Sequence, residues 1–182
     1  MSQFEEINSK IKDLNTQLVD YATKLEFESK CEFTLENCNT SVPWDEIKGK
    51  GVYLIEIRNN KNFNDFKTWV ENFRLEWENP LYKRRFVPNL KKIRIKNQDG
   101  KFDEWIPLYI GKSNNISGRV LEHIHKRLDQ NTFALKLNAR EHAKKETFRL
   151  SIIQIPTENY NMIMPVIEST LRKKINPILG RQ

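Results

Sequence analysis

The stretch Pro107-Leu-Tyr-Ile-Gly-Lys-Ser113, with the apolar repeat that follows it, restricts the fold more than any other part of the chain. Leu108, Tyr109 and Ile110 favour a strand and are bounded by Pro107 and Gly111. Ser113, Asn114 and Asn115 carry helix-capping side chains, so a helix is expected over 116–128. Val120, Leu121, Ile124 and Leu128 form its apolar side. Arg119 and His123, spaced i, i+4, share the other side, with Lys126 beside them. Strand, glycine turn and helix would then bring Tyr109, Lys112, Arg119 and His123 together. A guanidinium can grip a phosphate through two hydrogen bonds, and the other groups can donate to it.

Two more stretches belong with this one. Gly51-Val52-Tyr53 opens a second strand, with Tyr53, Ile55 and Ile57 on one face and Val52, Leu54 and Glu56 on the other. Glu168 lies in a helical pattern that closes on Pro177. Pro165 is expected in the first turn of that helix, and Val166, Ile167, Leu171 and Ile175 as its buried side. Together these segments resemble the GIY-YIG nuclease superfamily. Gly51-Val52-Tyr53 stands for the first tripeptide and Tyr109-Ile110-Gly111 for the second. Arg119 follows Gly111 by eight residues, His123 follows Arg119 by four, and Glu168 matches the lone acidic residue of the family's last helix.

The resemblance implies an α+β fold, a small central three-stranded antiparallel sheet flanked by helices. An N-terminal helix over 1–28 and a linker over 29–49 would precede a catalytic domain over 50–182. It also implies a Mg2+-dependent endonuclease acting on double-stranded DNA, with Mn2+ as a substitute metal. Tyr53, Tyr109, Lys112, Arg119, His123 and Glu168 would be the catalytic set, with Glu168 as the metal ligand. Mg2+ keeps most of its waters and can be held by one carboxylate plus substrate oxygens. Arg119 would stabilise charge on the scissile phosphate. Tyr53 would be the general base. A phenol ordinarily titrates near ~10, so a positive neighbour, Lys112 or the hydrated metal, would have to lower it.

The chain departs from the family pattern in two places. Gly180 stands where many members carry an asparagine, and residues 58–106 form a long α/β insertion between the first two core strands, expected to leave the motifs untouched. Within it, Phe66, Trp69, Val70, Phe73 and Trp77 make a helical apolar stripe. Lys91-Lys-Ile-Arg-Ile-Lys96 alternates like a strand, Asn97-Gln-Asp-Gly100 signals a hairpin turn, and 102–106 would return. Lys83, Arg84, Arg85, Lys91, Lys92, Arg94 and Lys96 are expected to meet a phosphate backbone, with Lys126. Further on, 132–144 reads as a helix exposing Lys136 and Arg140, and 148–155 as a third core strand.

Charge is unevenly placed. Residues 1–50 carry 6 basic and 10 acidic side chains, the remainder 25 and 14, so the motif-bearing part is strongly basic. That balance suits a nucleic-acid binder and equally a lysine-rich solvated surface. Phe4, Ile7, Ile11, Leu14, Leu18, Tyr21 and Leu25 form an a/d stripe. Docking of that stripe on the body is favoured, and a homodimer seam is the alternative. Cys31 and Cys38, the only cysteines, lack zinc-ligand spacing and fit a cytoplasmic protein. With no run of 18 apolar residues, no membrane partner is expected. A catalytic domain with a basic insertion is most similar to the restriction endonucleases of the superfamily. A repair or structure-specific nuclease and a non-catalytic nucleic-acid-binding module are the alternatives.

Overall fold

A computed structural model describes residues 2–59, 63–98, 100 and 102–181. The chain begins with α1 (Gln3–Lys24), started by a capping box in which Ser2 and Glu5 satisfy one another's backbone N–H groups. Then come β1 (Glu28–Phe33), the short α2 (Cys38–Ser41) and β2 (Gly51–Arg58). The insertion holds α3 (Phe66–Trp77), β3 (Asn89–Leu90) and α4 (Lys92–Gln98). After it follow β4 (Trp105–Ser113), α5 (Ile116–His125), two 3-10 turns, β5 (Phe148–Gln154), α6 (Tyr160–Ile175) and β6 (Leu179–Gly180).

The main sheet is antiparallel in the order β1-β5-β2-β4, so it has four strands where three were expected. The fourth, β1, comes from the edge of the segment read as a linker. Its Glu-Ser-Lys-Cys-Glu-Phe sequence buries only Phe33 fully. Charged alternate positions are what a solvated edge strand requires, and they hide it from a search for apolar runs. β2 is central, and its first seven residues are all buried. Tyr53, Ile55 and Ile57 face a core shared with α3 and α5. Val52 and Leu54 face a second core with Ile110, Met164, Ile167 and Leu171. β4 lies at the other edge, so groups from both sides of the sheet can meet around it.

α1 docks only by its end. Ala22 is buried and Leu18 and Leu25 pack on the second core, while Lys174 Nζ donates to the Thr23 and Leu25 carbonyls at 2.9 and 3.2 Å. Phe4, Ile7, Ile11 and Leu14 stay 49–75 % exposed, so the docking expected for the whole stripe fails over its first half.

The basic stretch 91–96 is not a strand; from Lys92 on it is part of α4. Tertiary anchoring overrides its alternating pattern. Gln98 Nε2 donates to the Ile175 and Asn176 carbonyls, Asn97 to Asn176 Oδ1 at 3.0 Å, and Arg94 Nη1 to the Pro177 and Leu179 carbonyls at 3.4 and 3.2 Å. A helix presents all three side chains to the end of α6, which an edge strand could not. The expected hairpin turn at 97–100 includes Asp99, outside the described residues. β3 pairs with β6, Asn89 opposite Gly180 and Leu90 opposite Leu179. The insertion therefore does reach the motif region, against expectation.

Residues 132–144 form loops and 3-10 turns rather than an exposed helix. Lys136 and Arg140 are fully buried. Lys136 takes a left-handed backbone (φ 58°) and donates to the Leu128 and Gln130 carbonyls at 3.1 and 2.7 Å. Arg140 lies 3.7 Å over the Trp77 ring and donates to the Leu135 and Trp77 carbonyls, both at 3.2 Å. Carbonyls supply much of what water would have given these cations, although Arg140 Nη2 has no hydrogen-bond partner among the described residues. In α6, Pro165 is the sixth residue and Glu168 the ninth, mid-helix rather than in the first turn.

Candidate active site

Tyr53 and Gly111 are register partners across β2 and β4, with Tyr109 opposite Ile55. The two phenols therefore share a sheet face, with ring centroids 6.3 Å apart. A side chain at 111 has no room. A Cβ there would stand 2.2 Å from Tyr53 Oη and 2.5 Å from its Cζ. Gly111 is the vacancy into which the Tyr53 hydroxyl projects.

Asn115 caps α5, its Oδ1 accepting from the Gly118 N–H at 3.1 Å, and this sets the helix against the phenols. His123 is fully buried, not on an open polar face. Its Nδ1 accepts from the Leu135 N–H at 3.0 Å, and its Nε2 lies 2.8 Å from Tyr53 Oη. Burial and the charge of Arg119 push its pKa well down, so the ring is neutral. With Nδ1 committed as acceptor, the proton sits on Nε2 and is donated to Tyr53. His123 is thus a fixed donor to the phenol oxygen and cannot take its proton.

Arg119 lies beside both phenols. Burial holds both Tyr53 and Tyr109 above the ordinary phenol value, and the charge of Arg119 pulls against it. Arg119 is itself held by the Glu122 carboxylate and the Phe133 carbonyl. Lys112 does not play the expected part. Its Nζ sits 5.3 Å from the centre of the Tyr160 ring, and Arg119 is the cation that acts on Tyr53.

Glu168 reaches the same place from α6. Tyr53, Tyr109, Lys112, Arg119 and Glu168 all line one cavity of about 320 Å3, with His123 behind it. Arg172, one turn after Glu168, is paired with its carboxylate. Arg172 and Arg181 also line the cavity. Neither was foreseen. The i, i+4 spacing from Glu168 was a visible signal for Arg172, whereas Arg181 had none.

The other basic candidates separate. Lys91, Lys92 and Arg94 line a groove beside the cavity. Lys83, Arg84, Arg85 and Lys96 are exposed elsewhere, and Lys126 caps the C-terminus of α5. Among the described residues no three carboxylate, imidazole or thiol groups gather as a metal cage. Among the described residues, Glu168 is the one carboxylate lining the cavity. That donor set fits a hard cation that keeps most of its water and takes further oxygens from a substrate, as Mg2+ does. No helix among the described residues is long and apolar enough to cross a membrane. No protein-family model, curated protein or solved structure matches the chain.

Proposed function

We propose that the chain is a Mg2+-dependent endonuclease of the GIY-YIG kind that hydrolyses phosphodiester bonds in DNA, with sequence recognition in the same domain as in restriction enzymes. The observation that carries this is the convergence of two phenols, a guanidinium and a single carboxylate, from four separate elements, on one cavity.

The chemistry follows from where each group stands. Arg119 grips the non-bridging oxygens of the scissile phosphate and offsets the charge that builds on them as water attacks. Tyr53, as phenolate, takes the proton of that water. The new P–O bond forms, the P–O3′ bond breaks, and O3′ leaves to be protonated from solvent. The His123 Nε2–H donated to the Tyr53 oxygen and the nearby charge of Arg119 favour its phenolate form against the cost of burial. Tyr109 hydrogen-bonds the phosphate or the attacking water. Glu168 would hold Mg2+, or Mn2+ in its place, which when bound supplies Lewis acidity to the phosphate and the leaving oxygen.

Nicking of supercoiled plasmid, with and without Mg2+, tests this. Metal-dependent nicking is expected, and Glu168→Ala should abolish it while leaving DNA affinity within about threefold. Protein that binds DNA and never nicks it would leave only a binding module. A smear in place of discrete fragments from a long DNA would remove the restriction-type assignment.

A further inference from the structure

α4 and α6 face each other across a groove of about 820 Å3. Lys91, Lys92, Arg94, Arg172, Lys173 and Arg181 line it, and among the described residues no acidic or aromatic side chain does. Arg172 and Arg181 line the catalytic cavity as well, so groove and cavity meet at these two residues.

The groove is electrostatically unfinished. Burial and the charges of Arg94 and Arg172 lower the pKa of Lys91, and burial and Arg172 lower that of Arg94. Cations that repel one another in a partly desolvated groove gain when an anion enters. The remaining lining suits a sugar–phosphate chain: Leu90 and Ile93 offer apolar surface, and Asn97, Ser169 and Asn176 offer hydrogen bonds. The described lining offers no aromatic ring on which bases could stack, so the backbone is what is held.

We infer that this groove is the track of a nucleic-acid strand flanking the bond that is cut, with Arg172 and Arg181 at the junction holding the phosphate next to the scissile one. This rests on the nuclease assignment for the meaning of the cavity. An acidic peptide would satisfy the charge, but the continuity with a cavity built for a phosphodiester selects the nucleic acid. The insertion and the last helix thus jointly supply sequence-independent grip.

Binding can be measured apart from cutting. The full chain carrying Glu168→Gln is titrated, without Mg2+, against a fluorescent duplex oligonucleotide at several salt concentrations. Adding Lys92→Ala and Lys173→Ala should weaken binding about tenfold or more and make the slope of log K against log salt shallower by about 2. The pair Lys10→Ala and Lys12→Ala on exposed α1 removes the same charge far from the groove and should change the slope by less than 0.5. Equal effects from both pairs, or no effect from the groove pair in protein with an unchanged circular dichroism spectrum, would overturn the inference. So would polyglutamate that competes as well as DNA of equal charge. Wild-type protein that fails to nick plasmid tells against the nuclease and leaves these binding outcomes standing on their own.

Discussion

The Tyr53 hydroxyl occupies the space that a side chain at Gly111 would need, the two residues being opposed across the β2–β4 ladder. This makes the glycine a steric condition on the phenol rather than a turn. Gly111→Ala should push Tyr53 off His123 and Arg119. A displacement of about 1 Å can cost on the order of 100-fold in rate. Nicking rate and melting temperature, measured together, check this. Activity within threefold of wild type would mean that the position of Tyr53 is not critical.

Arg94 fills the space that a side chain at position 180 would need. A Cβ at Gly180 would lie 2.6 Å from Arg94 Nη1, the group that donates to the Pro177 and Leu179 carbonyls. Gly180→Asn is expected to destabilise by about 1–3 kcal/mol through overpacking. Arg94→Ala should relieve that strain, so urea unfolding of the single and double variants should show strong non-additivity. Simple addition would mean that the two positions do not compete.

Arg172 pairs with Glu168, and under the proposed assignment a bound cation would compete with it. An ion pair of this exposure is worth up to about 1 kcal/mol, so Arg172→Ala should tighten Mg2+ binding in the absence of DNA by roughly fivefold. The same change should weaken DNA binding, because Arg172 also lines the groove. Calorimetry with Mg2+ and anisotropy with DNA should therefore move in opposite directions. Parallel changes would point to a general disturbance of α6.

Burial holds Tyr53 far above the ordinary phenol range. As a base it acts only when deprotonated, so kcat/KM should climb close to tenfold per pH unit from 7 to 9.5 without levelling. Tyr53→Phe should remove both the activity and the climb. A plateau at neutral pH would exclude the phenol as the base.

His142 bears on acid stability. Burial, aided by Arg140, lowers its pKa to about 4. The Glu76 carboxylate, 3.8 Å from Nδ1, is too distant for a hydrogen bond and too exposed to reverse this. Because the folded protein prefers the neutral ring, this contribution is complete above about 6.5 and is lost as pH falls toward 4, on the order of 3 kcal/mol in all. Urea unfolding between those limits should show the loss, and His142→Gln should flatten it.

The parts of the fold and site that could be read from sequence are those where one side chain or one short repeat decides the outcome. β2, β4, β5 and α3 have dense apolar patterns, and the two tripeptides mark the strands that carry the phenols. Glu168 and Arg119 line one cavity because α5 is set by the Asn115 cap and both helices by apolar periodicity. Partners decided the rest. Lys92–Gln98 is helical because of the α6 end it caps, and Lys136 and Arg140 are interior because backbone carbonyls receive them. β1 looks unlike a strand because its outer positions face water. The identity of the cation beside Tyr53 was likewise a matter of tertiary placement, which spacing along one helix and one turn does not determine.

The two-residue ribbon that ties 89–90 to 179–180 has a mechanical consequence. Together with Arg94 and Gln98 it buckles the insertion onto the far end of the helix that carries Glu168. A protease cut in the insertion would then slacken the seat of the acid, and the amides of Leu179 and Lys91 should exchange their hydrogens as one unit.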